Sequence, residues 1–344
     1  MADDKAERKI IEPQPSIVNY LHSRPYSLGF HRQLPAFAEP LPQQAICRNL
    51  ACAFKNKKPS PVFALAWTWH GKRAIIGCES GEFLLWSGTN FKYDSLIQVH
   101  NYGIRVMKWT KNYQFIISGD NQGFIIVSKS NMKTLKKEHG HDEAVRDLSF
   151  SPGEGVKFVS CSDDRLGKVW DFSSMRVERE LSGHGWDVKC ADWHPYKSLI
   201  ATGSKDSLVK LWDPKTSREL CNVHAHNNAV TKVKWSLNGN YLLTASRDTL
   251  VKLYDIRTMK EMKVYRKHQK EVSSVAWHPF HPELFVTGGF DGSLGFWLAE
   301  YEECAWFVEN AHTAVIRDVA WHPLGHLVAS GSKDCYTKFW SRSI

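Results

Sequence analysis

Lysines set among aromatic residues are the arrangement in this sequence with the clearest chemical use. Lys55-Asn-Lys57-Lys58 is followed along the chain by Phe91-Lys92-Tyr93-Asp-Ser-Leu96. Cations hold phosphates and flat rings accept unstacked bases, which are the two requirements of single-stranded RNA. The charge distribution points the same way. Residues 1–139 carry 19 Lys and Arg against 10 Asp and Glu, whereas residues 140–344 carry 26 of each. The whole excess of +9 therefore lies in the first two-fifths of the chain. Such an asymmetry indicates a polyanionic partner at one region, not a uniformly sticky surface.

Other chemistries are excluded by type and spacing. The eight cysteines contain no C-x-x-C pair, so they are expected as small buried hydrophobes in a reducing compartment, without disulfides or a zinc site. No Walker loop, G-x-S-x-G or H-E-x-x-H run occurs, so neither an enzyme nor a cofactor or metal site is expected. No apolar run approaches the roughly 18 residues of a membrane span, and the Met-Ala-Asp-Asp-Lys opening lacks a signal-peptide pattern, which removes membrane and secreted classes.

The elements that position these residues come from a repeat. Trp86, Val127, Trp170, Trp212, Tyr254, Trp297 and Trp340 are spaced 41, 43, 42, 42, 43 and 43 residues apart. A second register runs through His100, His141, His184, His226, His268 and His312, and a third through Trp67, Trp109, Phe150, Trp193, Trp235, Trp277 and Trp321. Within one unit the pattern is β. Residues 145–150 alternate apolar and polar, and turns at Ser-Pro-Gly-Glu-Gly and Ser-Asp-Asp separate the runs that follow. Four short strands per unit, with Gly-His at one end and Trp-Asp at the other, identify WD-repeat propeller blades. The expected fold is all-β: a seven-bladed WD-repeat β-propeller over residues 45–344, preceded by an extended N-terminal arm over residues 1–44.

Resemblance to WD repeats implies that the Asp six residues before the blade-ending aromatic bonds to the Gly-His histidine, as His184 with Asp206. The other acids so placed are Asp164, Asp248, Asp291 and Asp334. One copy per blade, without a nucleophile at fixed spacing, marks a structural staple and not a catalytic dyad. Blades 1 and 2 depart from the rule. Ser80 holds the Asp position in blade 1, while Asn121 and Val127 replace Asp and Trp in blade 2. This end of the ring is expected to be diverted from stability to contact, or simply decayed. Only Ser-Arg-Ser-Ile follows Trp340, so the last strand of blade 7 is expected from Ala45 to Phe54, which closes the ring and covers an open edge. Trp186, off the aromatic registers, is either an anchor for a protein partner or a tucked ring.

Several runs are more specific than the repeat. They include Arg8-Lys9 with Pro15-Ser-Ile-Val-Asn-Tyr-Leu, Gly77-x-x-Ser-Gly-Glu-Phe-x-Leu-Trp86-x-Gly, Leu181-Ser-Gly-His-Gly-Trp-Asp-Val-Lys and Trp321-His-Pro-Leu-Gly-His. With Cys161-Ser-Asp-Asp, Leu243-Thr-Ala-Ser-Arg-Asp and Tyr254-Asp-Ile-Arg-Thr-Met-Lys-Glu, nearly the whole chain resembles the WD-repeat subunit of the pre-mRNA cleavage and polyadenylation specificity factor. The resemblance implies a nuclear RNA-binding and scaffold subunit that helps recognise the AAUAAA-type hexamer of pre-mRNA. Its implied partners are a CCCH zinc-finger subunit and a large multi-propeller scaffold subunit. Carried over by motif, the aromatic flanking the bound bases falls on Tyr93 and the aliphatic on Leu96. The backbone-gripping cations fall on Lys57, with Lys55 two residues earlier, and on Arg8, with Lys9 beside it. Two readings compete. Tyr254-Asp255-Ile256-Arg257 approximates the W-D-x-R box of substrate receptors for cullin-type ubiquitin ligases, and a propeller of this kind also serves as a protein-only assembly scaffold.

Overall fold

In a computed structural model the described residues are 42–56, 59–88, 91–153 and 156–342. Twenty-eight strands, numbered in chain order, form seven separate four-stranded antiparallel sheets. The inner strands are β2 (Val62–Trp67), β6 (Ile104–Trp109), β10 (Val145–Phe150), β14 (Val188–Trp193), β18 (Val230–Trp235), β22 (Val272–Trp277) and β26 (Ile316–Trp321). Burial decides the layering. Every residue of β2 is buried, whereas the outer strand Thr134–His139 is exposed throughout. Apolar clusters lie between blades: Val62, Trp67 and Trp86 of blade 1 pack with Ala329 and Phe339 of blade 7. Each sheet thus completes its core only against a neighbour.

The ring closes through the N-terminal segment, as expected. β1 (Asn49–Lys55) pairs antiparallel with β28 (Tyr336–Ser341), from Asn49 opposite Ser341 to Lys55 opposite Tyr336. The strand begins later than the expected Ala45. Pro42–Ala45 forms a 3-10 turn, and Ala45, Ile46 and Cys47 are instead buried with Leu298, Trp321 and Trp340 between blades 6 and 7. Of the expected arm, residues 1–41 lie outside the described residues.

The implied staples are present. In blade 3, His141 Nδ1 meets Asp164 Oδ2 at 2.7 Å, its Nε2 meets Ser160 Oγ at 2.7 Å, and Trp170 Nε1 donates to the same hydroxyl at 2.8 Å. Blades 4 and 7 repeat this with His184, Asp206, Thr202 and Trp212, and with His312, Asp334, Ser330 and Trp340. In blade 5, His226 bonds Asp248 at 2.9 Å, while Tyr254 replaces the tryptophan and donates its hydroxyl to Ala225 O. In blade 6, Ser293 sits between His268 and Asp291 and bonds both. Burial alone would raise the Asp334 carboxyl, but the bond to His312 and backbone N–H donors outweigh it and hold it at about 2.

Blade 2 corrects the sequence reading. Asn121 leaves no gap, because Asp120 supplies the carboxylate at 3.0 Å from His100 Nδ1, and Ser118 Oγ meets Nε2 at 2.7 Å. Asp120 pairs with Ile104 at the strand end, the register held by Ser162 opposite Val145 and Ser204 opposite Val188. A longer acid at the serine position reaches the same histidine, and its second oxygen accepts from Gln122 and Phe124 N–H. Blade 1 has no such histidine. Ser80 donates to Glu82, and Asn56 bridges Ser60 O and Cys78 Sγ.

A second set of staples, unread in the sequence, joins neighbouring blades. His194, His278 and His322 each donate from Nε2 to a carbonyl of the next blade, at Gly239, Gly325 and Gly71. Their Nδ1 atoms accept backbone N–H groups, which holds the rings neutral in one tautomer. Gly71 has φ +67°, and a Cβ there would fall 1.9 Å from His322 Nε2, so only glycine fits. The available signal was the Trp-His-Pro triplet at 193–195, 277–279 and 321–323.

Candidate nucleic-acid interface

The sequence-derived site falls on the seam between blades 7 and 1. Tyr93 opens β5 (Tyr93–Gln98), the outer strand of blade 1, and Leu96 lies three residues on. In a regular strand that spacing puts two side chains on opposite faces. Here the register shifts: Tyr93 pairs with Trp86 of β4 (Glu82–Ser87), while Leu96 pairs with Leu84. Trp86 and Leu84 are two residues apart and belong to one cluster facing blade 7, so the irregularity brings Tyr93 and Leu96 to a single face. Leu96 is 38% exposed there, as are other leucines of outer strands such as Leu135 and Leu220, so its apolar surface is open to a partner.

Aromatic rings build the floor. Tyr93 meets Trp86 edge-on with centroids 5.7 Å apart. Phe54 of β1 stacks on Trp86 at 4.2 Å and reaches Phe91 at 6.5 Å. Phe54, not read from the sequence as a site residue, is thus the link across the seam. Its neighbour Lys55 points the other way, as alternation requires, with Nζ 5.8 Å from the Tyr336 ring centre. The structure therefore brings Tyr93 and Leu96 together but does not turn Lys55 toward them. Lys57, Arg8 and Lys9 lie outside the described residues.

Further cations gather at the same edge. Ser87 N–H donates to Lys92 O at 2.9 Å and Gly88 N–H to Lys72 O at 2.7 Å, which seats exposed Lys72 and Lys92 on consecutive residues of one turn. Lys72 was missed because it enters through the pairing of β4 with the strand Arg73–Cys78, not through sequence proximity to Tyr93. Arg73 is occupied by Asp94 at 2.8 Å. Elsewhere, the arginine of the W-D-x-R-like box is folded back, with Arg257 Nη2 2.9 Å from Asp255 Oδ2. Trp186 is 55% exposed under Lys205, whose Nζ lies 4.9 Å from its ring, so it is an outward ring and not a tucked one.

Comparison with known proteins bears on the whole ring. The family model described as WD domain, G-beta repeat matches residues 132–171, 175–213, 217–255, 259–297 and 304–341, more than half of the chain. The chain belongs to that WD-repeat family. Each matched repeat joins the outer strand of one blade to three strands of the next, an offset that interlocks a WD-repeat ring as β1 does here. The model does not match blade 1 or the inner strands of blade 2.

Individual relatives match from about half to nearly all of the chain. The chain is 36% identical over 384 aligned residues to Polyadenylation factor subunit 2 of Neurospora crassa, covering 99% of this chain and 58% of that protein. It is 39% identical over 315 residues to the protein of the same name from Gibberella zeae, covering 84% and 51%. To that of Cryptococcus neoformans it is 37% identical over 184 residues, covering 53% and 24%. The chain thus spans between about a quarter and somewhat over half of these relatives' length.

Proposed function

We propose that this WD-repeat chain is a nuclear, non-catalytic subunit of the mRNA 3'-end cleavage and polyadenylation machinery. In this reading it holds part of an AAUAAA-type hexamer at the seam of blades 7 and 1. The observation that carries the site is the register shift in β5, which sets an aromatic and an exposed aliphatic side chain on one face beside exposed lysines. Tyr93 and Leu96 flank the bases, because a ring and a branched side chain give two apolar surfaces between which flat groups stack. Lys72 and Lys92, whose carbonyls are held by the consecutive residues Gly88 and Ser87, and Lys57 from the segment leading into blade 1, neutralise backbone phosphates, whereas Lys55, turned over Tyr336, is left out of this set. Arg8 and Lys9 of the arm are assigned the same task. The similarity to proteins named Polyadenylation factor subunit 2 supports the biological setting. Recognition is shared with a CCCH zinc-finger subunit, both seated on a large multi-propeller scaffold subunit.

The test is RNA binding by this chain, alone and with those two subunits, comparing AAUAAA with AAGAAA. Discrimination in the assembly that is lost in Tyr93→Ala and Leu96→Ser supports the reading. Equal affinity for both RNAs in every state would reduce the ring to an assembly scaffold.

A further inference from the structure

The axis of the propeller carries a second cationic site, remote in chemistry from the seam. Every inner strand begins with a β-bulge between its first and third residues, as at Val62/Ala64, Ile104/Val106 and Ile316/Asp318. A bulge re-aims the residue between. Those intervening residues include Phe63, Arg105, Arg146, Lys189 and Arg317, and all five line one axial cavity of about 200 Å³.

Two layers of charge behave differently. Deeper in the channel Lys232 bonds Asp147 at 3.0 Å and Lys234 bonds Asp192 at 3.0 Å, while Lys108, in the same lining, has no ion pair among the described residues and is offset by the charges of Asp147 and Asp318. At the mouth, Arg146 and Lys189 share Asp163, and Arg247 faces Glu271 at 3.4 Å. Arg105 and Arg317 are the exceptions at the mouth, since among the described residues neither has a carboxylate at ion-pair distance. Arg105 has one neutral acceptor, Asn121 Oδ1 at 2.7 Å, and Arg317 Nε is buried with none. Their guanidinium carbons lie 4.2 and 5.7 Å from the centre of the same Phe63 ring, and Arg317 also lies 5.3 Å from Phe290. Burial, with the like charges of Arg146 and Arg317, brings Arg105 down to about 10. Unpaired, half-buried arginines held together at the end of a cavity are a fixed donor set awaiting an anion.

We infer that the axial mouth receives an acidic peptide, which inserts one carboxylate or phosphorylated side chain between Arg105 and Arg317. The cavity is smaller than the 300–1,000 Å³ usual for whole small-molecule ligands, and suits one side chain better than a nucleotide. The rings at the mouth are already in contact with guanidinium groups, so their faces are not presented to bases as a stacking platform would be. What the mouth offers is N–H donors, and Arg forks match carboxylate and phosphate oxygens two at a time. Exposed Tyr102 and Trp186 lie in the loops leading into β6 and β14, the strands that carry Arg105 and Lys189.

The experiment uses the full chain and synthetic arrays of short peptides, randomised around a central alanine, glutamate or phosphoserine. Enrichment of the acidic arrays over alanine is expected, with binding weakened about tenfold or more in Arg105→Gln and Arg317→Gln. Lysine at either position keeps the charge but not the fork, and is expected to restore only part of the binding. Both glutamine variants should melt at or above the parent temperature, because each removes one of two mutually repelling cations. Preference for phosphoserine over glutamate would assign a phosphorylated partner, and equal preference an acidic one. Three results would overturn the inference: no acidic preference, acidic binding untouched in both glutamine variants, or RNA binding that depends on Arg105 and Arg317. None of them depends on the Tyr93 seam, so the two sites stand or fall separately.

Discussion

At the scale of single residues, Tyr93 and Asp120 make the sharpest claims. Removing the Tyr93 ring should weaken hexamer RNA in the assembled complex by roughly 1–3 kcal/mol, the worth of one stacked base, as read by fluorescence anisotropy. Charge reversal at Lys57 and Arg8 should instead weaken all RNAs alike and flatten the dependence of affinity on salt, because a phosphate contact releases counterions without reading sequence. Asp120 is a question of stability. Asp120→Ala strands a buried histidine and two backbone N–H groups, and should cost about 1–3 kcal/mol in a denaturant melt. Asn121→Ala, at the position where the repeat pattern expects the acid, loses only the exposed bond from Arg105 and should cost less than Asp120→Ala. If those two effects were reversed, the assignment of the blade 2 staple would be wrong.

At the scale of elements, the β1 strand and the bulges carry the argument. β1 covers the edge of β28 and sends Phe54 onto Trp86. A chain lacking residues 42–56 should therefore lose its cooperative thermal transition and aggregate, since β28 is left as an unpaired edge. Loss of the same segment also removes one wall of the seam, so stability and RNA binding are coupled through a single strand. The bulges in the inner strands recur in all seven blades. A feature repeated seven times aims residues of quite different type, Phe63 and Arg105 among them, at one axis.

For the whole molecule, the histidines that join neighbouring blades set the response to acid. Burial, then the like charge of His281, depresses His278 to about 3, and burial holds His322 well below its ordinary value. In the unfolded chain both titrate near 6.5. The unfolded state therefore binds protons that the ring refuses, and stability falls as pH drops below about 6.5. At pH 5.5 the loss is at most about 1.4 kcal/mol for each such histidine. Melting curves at pH 7.5 and 5.5 should show this drop. The staple carboxylates, held low in the fold as Asp334 is at about 2, contribute their own loss only below the ordinary carboxylate range. A flat melting temperature across that window would show that the rings accept protons in the fold.

The period of about 42 residues by itself determined the architecture, because each repeat carries its own strand alternation, turns and staple, and seven of them close one ring. The closing strand was legible too: a strand before blade 1 was expected to complete blade 7, and β1 pairs with β28. Asp120 was not legible, because the same histidine can be reached from the end of the strand or from the turn after it, and only the structure tells which. Tyr93 and Leu96 are three residues apart, a spacing that names no common face until the irregularity in β5 is seen. Phe63, Arg105 and Arg317 come from blades 1, 2 and 7, and their convergence is invisible along the chain. Local periodicity settles which elements form. Closure of the ring decides which distant side chains share one space.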